Sequence, residues 1–115
     1  GVAFLDETGQ GKYADIFFRR IAESSGVAEA NVARLLGTVT AHELGHLLLG
    51  LRGHTSGGLM TPVWKENTLQ SVQMGSLLFT GTQASRIKAR IGSCSAIQAR
   101  GTTEFTLVHN LPLKP

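Results

Sequence analysis

The chain has 115 residues, of which 42% are apolar and 17% are charged, with a net charge of +3. This balance is ordinary for one globular domain with a single core, and it excludes an intrinsically disordered chain. The densest basic group is Arg86, Lys88 and Arg90, on one predicted helix. Because no aromatic residues interleave these cations, we expect a solvated helix face and no nucleic-acid binding.

The sequence also argues against a membrane-spanning segment and against an internal disulfide bond. The aliphatic run at residues 47–49 is far too short to span a bilayer, so we expect no membrane span. Cys94 is the one cysteine of the chain and cannot form an internal disulfide. We expect this thiol to be unreactive. A single cysteine does not indicate whether the protein is located in a reducing or an oxidising compartment.

The first 24 residues predict a strand followed by a helix. Residues 2–5 are a short apolar run that ends in a polar loop at residues 6–11, which is typical of a strand and its exit. From Tyr13 to about Ser24 the apolar residues recur with helical spacing, and this predicts an amphipathic helix. The recurring residues are Ala14, Phe17, Phe18, Ile21 and Ala22.

A second helix is predicted from about residue 28 to residue 49, with apolar residues around much of its circumference, so we expect it to be buried on several sides. His42 and His46 are four residues apart on it, and this spacing places both imidazoles on one helix face. Two such rings can hold one Zn²⁺ at about 2.0–2.1 Å each. Glu43 is next to His42 and can take a proton from a zinc-bound water.

A catalytic zinc site usually has three protein ligands, and His54 is the candidate for the third. If the helix continued through the eight residues after His46, His54 would lie about 12 Å further along the axis. The helix therefore has to end, and Gly50 and Gly53 favour an end there. Met60 lies six residues after His54, and its thioether can pack beneath the ligand rings.

This order of motifs resembles the metzincin family of zinc endopeptidases, and the matrixins most of all. The resemblance implies that His42, His46 and His54 bind Zn²⁺, that Glu43 is the general base and that Met60 belongs to the methionine turn. The family spaces its second and third histidines six apart with a glycine three after the second. In this chain His54 lies eight residues after His46, and Gly50 lies four residues after His46.

The resemblance also implies a fold and a substrate. The expected fold is a small α+β zincin with one or more edge strands, an active-site helix, a metal and methionine-turn loop, and a C-terminal helix. A peptide or protein substrate would pair with the edge strand, and Val63 and Trp64 would form the wall of a pocket for an apolar side chain. The chain would be a monomer, and the family resemblance favours a secreted location.

The rest of the chain predicts a polar stretch and one more helix. Residues 65–73 are polar and weakly periodic, so no buried helix is expected there. Residues 82–91 predict a helix that stops at Gly92. We expect the catalytic domain to comprise residues 1–92 and a tail to comprise residues 93–115.

Two other interpretations remain open at this point. Glu66 lies twenty residues after His46, a spacing that resembles the gluzincins, so Glu66 is an alternative third ligand. Alternatively, the chain is a non-catalytic, zinc-stabilised module that binds peptides, because only one convincing strand precedes the helices. A site closed by a fourth protein ligand would distinguish such a module from an enzyme.

Overall fold

The structure is a computed structural model, and it describes residues 1–24 and 29–93. Its class is mixed α+β, as predicted. In chain order the elements are β1 (Val2–Leu5), β2 (Gly11–Asp15), α1 (Phe18–Ser24), α2 (Glu29–Leu49), a 3-10 turn (Gly58–Met60), α3 (Glu66–Gln73) and α4 (81–93). The predictions for Cys94 and for most of the tail lie outside the described residues.

Strands β1 and β2 form an antiparallel hairpin, in which Phe4 pairs with Tyr13 and their rings stack at a centroid distance of 4.7 Å. The Asp6 carboxylate closes the turn by accepting hydrogen bonds from the amides of Thr8 and Gln10. The predicted helix start at Tyr13 is therefore wrong, whereas the predicted helix end near Ser24 agrees with α1. Pairing with β1 outweighs the helical spacing, and α1 begins only at Phe18.

Helix α2 is the central element and packs against both strands, α1, the 3-10 turn and α3. Its predicted extent is confirmed within the described residues, since it runs from Glu29 to Leu49. The expectation of burial on several sides is confirmed by these contacts, although one side of the helix carries Leu44, which is 47% exposed, and Leu48, which is 36% exposed.

The two helices that follow the 3-10 turn compare differently with the prediction. The expectation of no buried helix at residues 65–73 is confirmed, because α3 is mostly exposed. Helix α3 forms in the polar stretch, with Glu66 in its first turn, where a negative charge is favourable, and Val72 on its buried side. Helix α4 continues through Gly92, which lacks the positive φ of a helix stop. The hydroxyl of Ser93 donates to the carbonyl of Arg90 at 2.9 Å within this last turn.

The basic face of α4 is only partly a solvated surface. Arg86 and Lys88 are exposed, as predicted. Arg90 also has a structural contact, because its Nη2 donates to the Gly9 carbonyl at 3.2 Å and its guanidinium lies against Gly50. This contact ties α4 to the hairpin and to the end of α2.

The sequence predicts no membrane span in the helices of residues 1–24 and 29–93. None of the helices there is both long and apolar enough to cross a bilayer.

Candidate metal centre and its cleft

The end of α2 brings the three predicted histidines together. Gly50 has φ of +65°, and the amides of Gly50 and Leu51 both donate to the His46 carbonyl, at 2.9 and 3.3 Å. This glycine-dependent stop turns the chain back over the helix. The ring of His54 then lies 5.2 Å from that of His42 and 4.9 Å from that of His46, between centroids.

The first two histidines are buried and held in a single orientation. His42 Nδ1 lies 2.7 Å from the Leu59 carbonyl, and His46 Nδ1 lies 2.7 Å from the Leu51 carbonyl. Because a carbonyl oxygen only accepts, each Nδ1 carries the hydrogen and donates it. Each Nε2 is then left with a free lone pair, which is the arrangement of a histidine prepared to bind a metal.

His54 is the exposed member of the group. The pKa of His54 lies below its ordinary value, first because the surrounding protein removes water from the ring, and then because His46 and His42 lie close to it. Glu43 opposes this shift. The ring therefore stays neutral, the form that binds metals, to a lower pH than a free histidine would.

Within the described residues, His42, His46 and His54 are the group of potential ligands that converges. One ligand atom from each lies within 4.8 Å of the others, which is close enough for the three to bind a metal ion. Glu66 is exposed in the first turn of α3 and is not part of this group.

Met60 lies against α2 at Gly45, between the two helical histidines. It is the most deeply buried large side chain of the described residues, at 1% exposure. A Cβ atom at Gly45, which lies in α2 between the two helical histidines, would overlap the Met60 sulfur and would stand 2.8 Å from a Phe79 ring carbon. The helix backbone, the thioether and the aromatic ring are therefore in direct contact, and the sequence analysis did not identify this role of Gly45. The available signal was a glycine in a helix interior, which usually has a packing reason.

Gln83 anchors the loop that carries His54. This buried side chain of α4 donates from Nε2 to the Thr55 hydroxyl at 2.7 Å and to the Gly57 carbonyl at 3.3 Å. Its Oε1 accepts from the Thr80 amide at 2.8 Å. The sequence analysis missed this residue, because nothing in the local pattern around position 83 indicates which loop it contacts.

Glu43 is buried beside the histidines and faces a cleft of about 420 Å³. Its Oε1 lies 3.7 Å from the amino nitrogen of Gly1. The cleft runs along β1, and its lining residues are Gly1, Val2, Ala3, Phe4, Leu5, Glu43, His46, Arg52 and His54. A carboxylate and two of the converging imidazoles thus border one cleft at the edge of the sheet.

A smaller cavity of about 160 Å³ also borders Glu43. Trp64 and Pro62 line it together with Val39 and His42, and the rings of Trp64 and His42 meet edge to face at 5.9 Å. Val63 is 63% exposed and does not line this cavity. Of the two predicted wall residues, Trp64 therefore lines the cavity and Val63 does not.

Comparisons with protein-family models, with curated protein sequences and with solved structures find no match to this chain.

The contact at Gly45 predicts opposite effects for two substitutions in the same helix. Alanine normally favours a helix interior over glycine by about 1 kcal/mol. Gly45→Ala should nevertheless lower the free energy of unfolding by about 1–3 kcal/mol, because its Cβ overlaps Met60 and Phe79. Gly37→Ala is the matched control, since its Cβ would meet nothing within 4 Å. Urea unfolding of both variants checks this, and an equal gain in stability for both would contradict the packing at Gly45.

The hydrogen bonds of Gln83 predict that its substitution lowers the stability of the protein, whereas substitution of an exposed glutamine does not. Gln83→Ala leaves the Thr55 hydroxyl and the Thr80 amide without this partner and should lower the free energy of unfolding by about 1–3 kcal/mol. Gln70→Ala, on the exposed side of α3, should change it by less than about 0.5 kcal/mol. Thermal unfolding measures both variants. Equal effects would show that Gln83 does not hold the loop.

Proposed function

We propose that this protein is a zinc-dependent endopeptidase of metzincin type, which hydrolyses peptide bonds in extended peptide or protein substrates. The observation that carries the proposal is the buried carboxylate of Glu43 beside the converging imidazoles, at a cleft along a strand edge. This combination offers a metal site, a base and a place for a substrate backbone within one small volume.

The donor set fits Zn²⁺. Three imidazole nitrogens suit this borderline metal, and three protein ligands leave one position of a tetrahedral site for water or substrate. The carbonyl partners of His42 and His46 are outer-shell contacts of the kind that orient zinc ligands. When bound, Zn²⁺ would act as a Lewis acid towards the scissile carbonyl and the attacking water.

Glu43 would serve as the general base. Its place beside His42 on α2 lets it accept a proton from the attacking water and return that proton to the leaving amine. No side chain would become covalently attached to the substrate. Burial on a central helix supports this role, because a carboxylate on a rigid element keeps its position relative to the ligands.

The edge of β1 would bind the substrate backbone. One edge of β1 pairs with β2, and the residues of β1 line the cleft on which Glu43 and His46 also lie. An extended peptide could therefore add as a further strand, with main-chain hydrogen bonds for affinity. The cavity beside Trp64 would receive an apolar side chain next to the scissile bond.

The role of Glu43 predicts a large loss of turnover without loss of metal. Glu43→Gln should lower kcat by about 10²–10⁴-fold, the usual contribution of a general base, while the protein keeps its zinc. Glu66→Gln is the control and should retain full activity. A quenched-peptide assay, with zinc content measured in parallel, tests this. Full activity in Glu43→Gln, or in excess chelator, would refute the proposed mechanism.

The third ligand can be assigned by metal affinity. His54→Ala should weaken zinc binding by more than about a hundredfold, since losing even an outer-shell partner costs 10–100-fold. Glu66→Ala should leave affinity unchanged, because Glu66 lies outside the histidine group. Competition with a chromophoric chelator gives both values. The reverse result would support the gluzincin-like alternative.

The non-catalytic module remains the second candidate, and the short two-stranded sheet of the described residues favours it. Its distinguishing property is a metal site closed by a fourth protein ligand. Zinc-edge X-ray absorption, which counts nitrogen and oxygen ligands, combined with a peptide-pool assay, separates the two. A closed site with no turnover of any peptide would favour the module.

A further inference from the structure

Arg52 lines the cleft. Among the described residues that line it, Arg52 is the one arginine or lysine. It follows α2 by three residues and is exposed to solvent. Its Nη2 donates to the Leu5 carbonyl at the end of β1, at 3.1 Å. A guanidinium has five N–H donors in a planar fork, so this single bond leaves most of them free.

Among the described residues, Arg52 has a carboxylate near it but forms no close ion pair with one. Asp6 is the nearby carboxylate, and its Oδ1 accepts hydrogen bonds from the Thr8 hydroxyl, the Thr8 amide and the Gln10 amide at 2.6–2.9 Å. The pKa of Asp6 lies below its ordinary value mainly because of these bonds, and Arg52 is the smallest contributor. No ion pair within 4.0 Å joins Arg52 to Asp6 in the described residues.

Arg52 stands where the free edge of β1 ends. A peptide that adds to this edge uses the backbone groups of β1, and the Leu5 carbonyl is already bonded to Arg52. Glu43 lies at the opposite end of the strand, beside Gly1. At about 3.3 Å per residue, the guanidinium would face a substrate side chain two to four residues from the scissile bond.

We infer that Arg52 is a specificity-determining residue, which selects a substrate with an aspartate or glutamate side chain in the segment that lies beside Leu5. This inference rests on the proposed peptidase function and names its substrate class. A carboxylate matches the guanidinium fork and can accept two parallel hydrogen bonds from it. A neutral amide of the same shape cannot provide the charge, so the discrimination is between glutamate and glutamine.

The test is a positional scan in which each residue around the bond cleaved by the wild-type protein is changed to Glu or to Gln. The zinc-loaded wild-type protein should prefer Glu at one position by about three- to tenfold in kcat/KM. In Arg52→Gln the Glu/Gln ratio at that position should fall to about one, and in Arg52→Lys, which keeps the charge without the fork, it should fall between these limits. Because each ratio is measured within one variant, a general loss of folded protein does not alter it.

Arg86→Gln is the matched control. It removes the same charge from an exposed position on α4 that does not line the cleft, so it should keep the wild-type ratio. An unchanged ratio in Arg52→Gln, or an equal fall in Arg86→Gln, would overturn the inference. Cleavage without any Glu preference at any position would also overturn it, while the proposed peptidase function would stand.

A binding measurement separates this inference from the proposed function. Extended peptides that carry Glu or Gln at each position in turn, chosen without regard to cleavage and labelled with a fluorophore, are titrated with zinc-loaded Glu43→Gln protein, with and without Arg52→Gln, and followed by anisotropy. Glu-selective binding that depends on Arg52, together with no turnover of any peptide by the wild-type protein, would support the inference and refute the peptidase. Equal binding of Glu and Gln peptides at every position would overturn the inference.

Discussion

The whole site depends on the end of helix α2. Gly50 takes a left-handed conformation, and the Leu51 amide folds back onto the His46 carbonyl. This one turn stops the helix, sends the chain back so that His54 meets the helical histidines, and places the Leu51 carbonyl where His46 Nδ1 can donate to it. A side chain at Gly50 would also meet the backbone of Gly9, so the stop and the hairpin are packed together.

Helix α4, which is distant in the sequence, stabilises the end of α2 and the loop that carries His54. Arg90 bonds to the hairpin turn at Gly9 and lies against Gly50, while Gln83 holds Thr55 in the loop after the helix. Both contacts hold turns and loops, which have no regular secondary structure of their own, in a fixed position. A metal site needs its ligands in a fixed geometry, and a loop ligand such as His54 gains that geometry only from supports of this kind.

Much of the candidate centre follows from local sequence pattern. Residues that are four apart on a helix share a face, so the proximity of His42 and His46 follows from the helix itself. The extent of α2 follows from its periodicity, and its end follows from Gly50, because glycine alone adopts the required conformation at little cost. From that end, the sequence predicts that His54 must return towards the helix.

The remaining features were decided by tertiary contacts. Gly11–Asp15 became a strand because β1 was available to pair with it, and α3 formed although its sequence is polar. The contact of Gly45 with Met60, the bonds of Gln83 and the position of Arg52 at the cleft all join residues that are distant in the chain. Local sequence determines which conformation a segment favours, whereas a buried or hydrogen-bonded contact depends on which segment lies opposite, and only the folded chain decides that.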